Sequence, residues 1–121
     1  MTCPPWLTLS LLVRRTGLRL HLFVNDFTPA KCEARENFHE CSSPGYGPIE
    51  LPAWEVDRDY EFAAHPMVTF PFQGATPPIY GWYIPDPEFV GCVVAAQRFE
   101  QAVEIGPEGG FIEVGVRIVP K

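Results

Sequence analysis

Positive charge is scarce in this sequence: nine Lys and Arg stand against fifteen Asp and Glu, a formal net charge of −6. Nucleic-acid binding draws affinity from basic patches that displace counterions from phosphate, and the balance here has the wrong sign for it. Arg14-Arg15 is the one basic cluster, and two adjacent arginines read as a solvated turn. Long apolar runs are missing too. No stretch approaches the roughly 20 residues a bilayer-spanning helix needs, so no membrane partner is expected. The opening MTCPPWLTLSLLVRRTG reverses the order of a secretion signal, because the short apolar stretch 7–13 comes first and the arginines follow. The expectation is a soluble chain made in a reducing cytosol.

Cysteine is sparse, and Cys3, Cys32, Cys41 and Cys92 contain no C-x-x-C pair. Without a secretion signal, disulfides are not expected. Cys32, His39 and Cys41 could bring soft ligands close together, but zinc sites are usually built from two paired ligand clusters. Free thiols in a loop is the reading that spacing favours. Catalytic signatures are absent as well. His21, His39 and His65 are isolated, no serine sits in a G-x-S-x-G elbow, and Gly109-Gly110 leads into a strand rather than a phosphate-binding helix. Carboxylates are plentiful: Asp57 and Asp59 flank Arg58, and Asp86 lies between two prolines. A glycosidase pair needs a set separation across a sugar, which linear spacing does not fix, and solvated loop charges account for these residues. No catalytic residue, metal or cofactor is expected, and a small hydrolase stays only as a third reading.

What the sequence does hold is turn chemistry and short alternating runs. Fourteen prolines and ten glycines in 121 residues are too many for a helical bundle and follow no collagen repeat. Leu18, Leu20, Leu22 and Val24 alternate with Arg19, His21 and Phe23, the period of a half-buried strand. Ile112, Val114, Val116 and Ile118 alternate with Glu113, Gly115 and Arg117, and Gly109-Gly110 predicts a hairpin turn from an incoming arm at 103–105. Residues 49–56 are interrupted by Pro52, which suggests an edge or a bulge. Residues 67–72 place Val68, Phe70 and Phe72 on one face with Pro71 turned away. Residues 79–84 and 89–96 are apolar on both sides, as central strands or partner-facing surfaces are. Residues 31–46 read as a long loop.

This pattern predicts an all-β protein, a compact antiparallel β-sandwich over residues 17–121, with a jelly-roll-like arrangement or a small barrel as alternatives. Residues 1–16 are expected to form an amino-terminal arm or edge element. A short helix over 6–15 and an extended arm that orders on contact are both compatible with it. Tyr80, Trp82 and Tyr83 crowd into IYGWYIP, where Gly81 permits a bulge or close backbone approach. Together with Trp6 they are the candidate interface residues, since aromatics anchor protein interfaces and sugar platforms; filling the core is the competing reading. The stretch NDFTPA at 25–30 looks at first like a cluster of ligands. Asn25 and Asp26 suit a turn and bond readily to nearby main chain, Phe27 is expected to tuck back on the core, and Pro29 stops the strand. A strand end is the expectation, not a site.

Four stretches, LRLHLFVNDFTPA, FHECSSPGYGPIELPAW, VTFPFQGATPPIYGWYIPD and AAQRFEQAVEIGPEGGFIEVGVRI, carry a family likeness. Their order resembles that of small proteins encoded in tailed-phage and phage-like genomes. In those proteins a leucine-rich start leads to a strand ending in an Asn-rich turn with Thr-Pro. A Gly-Tyr, a Leu-x-x-Trp, a Tyr-Gly-Tyr-like strand and an Arg-Phe pair then follow. The likeness spans most of the chain from Leu7 onward, and Cys32 to Cys41 is where the sequence departs most from it. The resemblance implies a virion-associated structural protein, first of all a capsid decoration or cement protein. Its implied partner is the major capsid protein, and its implied place is the capsid surface after synthesis in the bacterial host cytoplasm. A homo-oligomer is expected, with a trimer as one candidate. The alternative is a tail, baseplate or fibre module that recognises a host glycan or receptor.

Overall fold

The computed structural model describes residues 17–30, 33–52, 54–56, 63–87 and 89–118. Among the described residues seven strands form in chain order: β1 (Arg19–Phe23), β2 (Ile49–Glu50), β3 (Glu55–Val56), β4 (Ala63–Phe72), β5 (Ile79–Pro85), β6 (Val93–Val103) and β7 (Gly110–Ile118). A 3₁₀ turn, Arg35–Asn37, interrupts the loop between β1 and β2. All pairings are antiparallel. They make a four-stranded sheet 1, ordered β2-β1-β5-β6, and a three-stranded sheet 2, ordered β3-β4-β7. The result is the expected antiparallel sandwich, and the barrel alternative fails because the sheets do not close.

The core between the sheets follows from period two. Leu18, Leu20 and Leu22 point inward from sheet 1, joined by Ile79, Trp82 and Ile84 of β5. Val68, Phe70 and Phe72 of β4 and Ile112, Val114 and Val116 of β7 complete the same cluster from sheet 2. The rows at 18–22, 68–72 and 112–116 are the alternating positions that the sequence marks, and burying a branched or aromatic side chain stabilises by roughly 1.5–3 kcal/mol each.

Pro52 separates β2 from β3 more completely than a bulge does. The two fragments sit at the ends of different sheets, each only two residues long. Residues 89–92 belong to a turn, so β6 starts at Val93, and Phe89 and Val90 are exposed.

The expected hairpin at Gly109-Gly110 does not form. β6 pairs with β5 and β7 pairs with β4, so the turn carries the chain from one sheet to the other. A tight turn reads the same locally in either case, and it is the neighbours available in each sheet that decide. Thr76 fixes this corner: its N–H donates to Ile105 O and its Oγ1 accepts from Ile105 N–H, both at 3.0 Å. Gly109 has φ +81, and a Cβ there would come within 2.4 Å of Phe72 O, so only glycine fits.

Candidate functional site

The outer face of sheet 1 is where polar and aromatic side chains gather. In β1, Arg19 is exposed, but His21 and Phe23 are buried, as Leu20 and Leu22 are. The half-buried strand of the sequence reading is therefore buried on both faces over most of its length. Residues 24–30 and 33–41 fold back over the sheet and roof it. Val24 N–H donates to His39 O at 2.8 Å and Cys41 N–H to Leu22 O at 2.9 Å, which lays residues 39–41 along β1 beyond its short pairing with β2.

Beneath that roof lies a second apolar cluster of Phe23, Phe38, Tyr83 and Val93, with Phe27, Tyr80 and Ala96 at its margin. Phe38 stacks on Tyr83 at 4.5 Å and meets Phe23 edge-on at 5.3 Å. Gly81 makes the approach possible. A Cβ there would lie 2.2 Å from Gln97 O and 2.6 Å from the Phe23 ring. The ladder between β5 and β6 slips between Ile79 and Gly81, which places Tyr80 and Tyr83 in the same cluster despite their odd spacing.

NDFTPA ends the strand, as expected, but it acts over a longer range than a local turn. Asn25 Oδ1 accepts from His39 N–H and its Nδ2 donates to Asn37 O, both at 2.9 Å. Asp26 pairs with Arg98 of β6 at 2.7 Å, and the Arg98 guanidinium lies 5.2 Å above the Tyr80 ring. Phe27 tucks against Phe23 at 5.3 Å. The stretch is a clamp that pins the roof at two points.

His21, Glu40 and Tyr46 form a connected polar group at the edge of this face, where the Tyr46 ring turns inward to stack on Phe70 and Phe72. His21 Nδ1 lies 2.5 Å from Glu40 Oε2, and the Tyr46 hydroxyl donates to the same oxygen at 2.8 Å. Tyr46 Oη in turn accepts from Leu22 N–H at 3.0 Å. Burial pushes the His21 imidazole below its ordinary value; Glu40 opposes the shift, and Arg35 and Arg19 reinforce it. The ring is thus neutral near pH 7, and Nδ1–H donates to the carboxylate. Burial raises the Tyr46 phenol well beyond the usual range and pushes Tyr83 up to about 12. Both phenols stay protonated at neutral pH, so neither is a base. Glu40 Oε2 is engaged by two donors. The arrangement holds a strand N–H and ties the 40–46 segment to β1.

The sequence-based candidates are dispersed. Trp82 is 3% exposed and Tyr83 2%, so of the two readings of IYGWYIP the core reading describes both rings. Trp82 belongs to the main core and Tyr83 to the roofed cluster, while Tyr80 is half-buried under Arg98. Trp6 lies outside the described residues, as do Cys32, Asp57 and Asp59. Cys41 is buried, with Sγ 3.6 Å from Ser43 Oγ, and His39 is exposed. Among the described residues no three His, Cys, Asp or Glu side chains converge as a metal site would require. Asp86 is buried and accepts from Phe89 N–H at 3.2 Å, holding the turn between β5 and β6.

Sequence reasoning missed Glu40 and Tyr46, which lie in a loop with no periodicity to mark them. The available signal was His21, a polar ring on a strand whose next odd position is Phe23. No family model, curated protein or solved structure matches this chain.

Proposed function

We propose that this chain is a non-enzymatic structural protein of a phage-type virion, of the decoration or cement kind. It binds the major capsid protein on the capsid surface as a homo-oligomer, after synthesis in the bacterial host cytoplasm. The observation that supports this reading best is the direction in which its chemistry faces. The His21–Glu40–Tyr46 group and the Asn25 and Asp26 contacts serve the fold itself. Large apolar side chains, by contrast, stay outside: Met67, Phe89, Val90 and Phe111 are 60%, 45%, 94% and 61% exposed. A protein of this kind works by covering surface. Each Å² of apolar area buried across a seam between shell subunits contributes about 25 cal/mol, and standard interfaces cover roughly 800 Å² per partner.

Copy number in purified particles tests the reading. Quantitative mass spectrometry is expected to find the protein at the abundance of a shell component, on the order of hundreds of copies in a symmetric capsid. Absence from the particles overturns the proposal. A few to tens of copies would favour the tail, baseplate or fibre reading instead. The burial of Trp82 counts against that second reading, because a sugar platform needs an exposed ring.

A further inference from the structure

Sheet 2 ends in a strand that is prepared for another strand. β7 is the last member of the order β3-β4-β7, and among the described residues nothing pairs along its far side. It runs nine residues without a proline. Natural edge strands are normally blunted by prolines, bulges, lysines or inward-pointing charges; β7 has no proline, lysine or inward-pointing charge between Gly110 and Ile118, and the bulge in its ladder, between His65 and Val68, puts its extra residue in β4.

The direction of its main-chain groups follows from β4. Pro71 stands opposite Phe111 and has no N–H to give. A proline fits a ladder only where its nitrogen faces away from the neighbouring strand. Gln73, two residues on, confirms the direction, because its N–H donates to Pro44 O at 2.9 Å rather than to β7. Pro71 and Phe111 thus form a non-hydrogen-bonded pair, and the N–H and C=O of Phe111 point outward. Alternation gives Glu113, Gly115 and Arg117 the same outward main chain. Their side chains also share one face, the exposed outer face of sheet 2.

From this edge we infer that β7 pairs antiparallel with β7 of a second copy about a two-fold axis at Gly115, joining the two three-stranded sheets into one of six strands. The charges select the register. Centred on Gly115, each copy's Glu113 lies opposite Arg117 of the other, twice over. Centred on Glu113 or Arg117, like charges would oppose each other on the axis. Centred on Val114 or Val116, Glu113 gains no opposing arginine. Gly115 also suits the axis, since it places no side chain there. The space is bordered by Met67, whose Sδ would lie 3.2 Å from a Cβ at Gly115. Two exposed Met67 side chains flank the axis, and the inward Ile112, Val114 and Val116 continue the core cluster on either side. A closed two-fold contact of this kind is self-complementary and stops at two. The net charge of −6 on each copy opposes association, so local Glu–Arg pairing is what decides it. This inference stands apart from where the protein resides.

Analytical ultracentrifugation of the purified full chain tests it, with charge reversal as the probe. The unaltered chain is expected to reach twice its 13.6 kDa mass as concentration rises. Glu113→Arg and Arg117→Glu each replace two attractive pairs by two repulsive ones and should weaken the dimer by about tenfold or more. The double variant Glu113→Arg with Arg117→Glu restores the pairing and is expected to dimerise again. Its recovery also shows that the single variants did not simply misfold, which far-ultraviolet circular dichroism checks directly. A chain that stays monomeric overturns the inference. So does a trimer, a dimer indifferent to both single reversals, or a double variant that fails to recover.

Discussion

Each sheet of the sandwich presents one face to the shared core and one face away from it, and the two away faces are finished differently. On sheet 1, His21, Phe23, Tyr83 and Val93 are buried because residues 24–30 and 33–41 fold back over them. On sheet 2, Met67, Thr69, Pro71, Phe111 and Glu113 are exposed, and no comparable segment of the described chain covers them. The strands beneath are alike in period. What differs is the long β1–β2 loop, which lays Phe27 and Phe38 over one side only. A roofed face and a bare one on the same scaffold divide the molecule into a part that holds itself together and a part that offers surface.

The strongest way to break that division is to empty the roofed side. Phe23 is fully buried between Phe27, Phe38 and Tyr83, so Phe23→Ala is expected to cost about 3–5 kcal/mol in urea unfolding. A loss below about 1 kcal/mol would mean that the roof does not pack as a second core. Tyr46→Phe should cost less, about 1–3 kcal/mol, because it leaves Leu22 N–H without its acceptor and Glu40 without one of its two donors. An unchanged midpoint would show that water replaces the hydroxyl freely.

Acidification probes the same network without mutation. His21 sits below its ordinary pKa of 6.5 in the folded chain, so between the two values the unfolded chain binds the extra proton more readily. Its contribution is intact above 6.5 and is lost as the pH falls through the lowered folded value. Unfolding titrations on either side of 6.5 should show this slope, and His21→Gln should remove it. A slope that survives the substitution would assign the effect elsewhere.

The smallest effect belongs to the bare side. Met67→Ser and Phe111→Ser should each change the stability of the monomer by no more than about 0.5 kcal/mol, since both side chains are mostly in water already. A loss comparable to that at Phe23 would erase the distinction between the faces.

Much of this division is legible in the residues, and part of it is not. The inward rows Leu18, Leu20, Leu22 and Ile112, Val114, Val116 follow from period two alone. So does the turning away of Pro71, and the close backbone approach that Gly81 permits is realised against Gln97 and Phe23. The outward rows also differ visibly: His21 and Phe23 are rings that seek cover, whereas Glu113, Gly115 and Arg117 are not. The source of the cover could not be read, because it depends on non-local bonds from Asn25 to Asn37 and His39. The crossing from β6 to β7 was hidden for a related reason. A glycine turn says that the chain reverses, not which sheet it returns to. Trp82 and Tyr83 show the same limit at single residues, since IYGWYIP suits an anchor and a core equally until β1 and β6 enclose it.

The β4–β7 ladder also sets an order of events in time. Ala63 finds Ile118 and Phe72 finds Gly110, so the entire β5–β6 hairpin lies inside the loop that this ladder closes. Loop entropy is lost before such distant contacts form, and the ladder is therefore expected late in folding. Val114→Ala should then speed unfolding and leave refolding nearly unchanged; an equal slowing of refolding would put β7 in the nucleus. On a growing chain the interval is longer still. From the moment β6 is made until the ribosome delivers β7, Phe70 and Phe72 wait beside an unfinished sheet, and chaperones have that long to meet them.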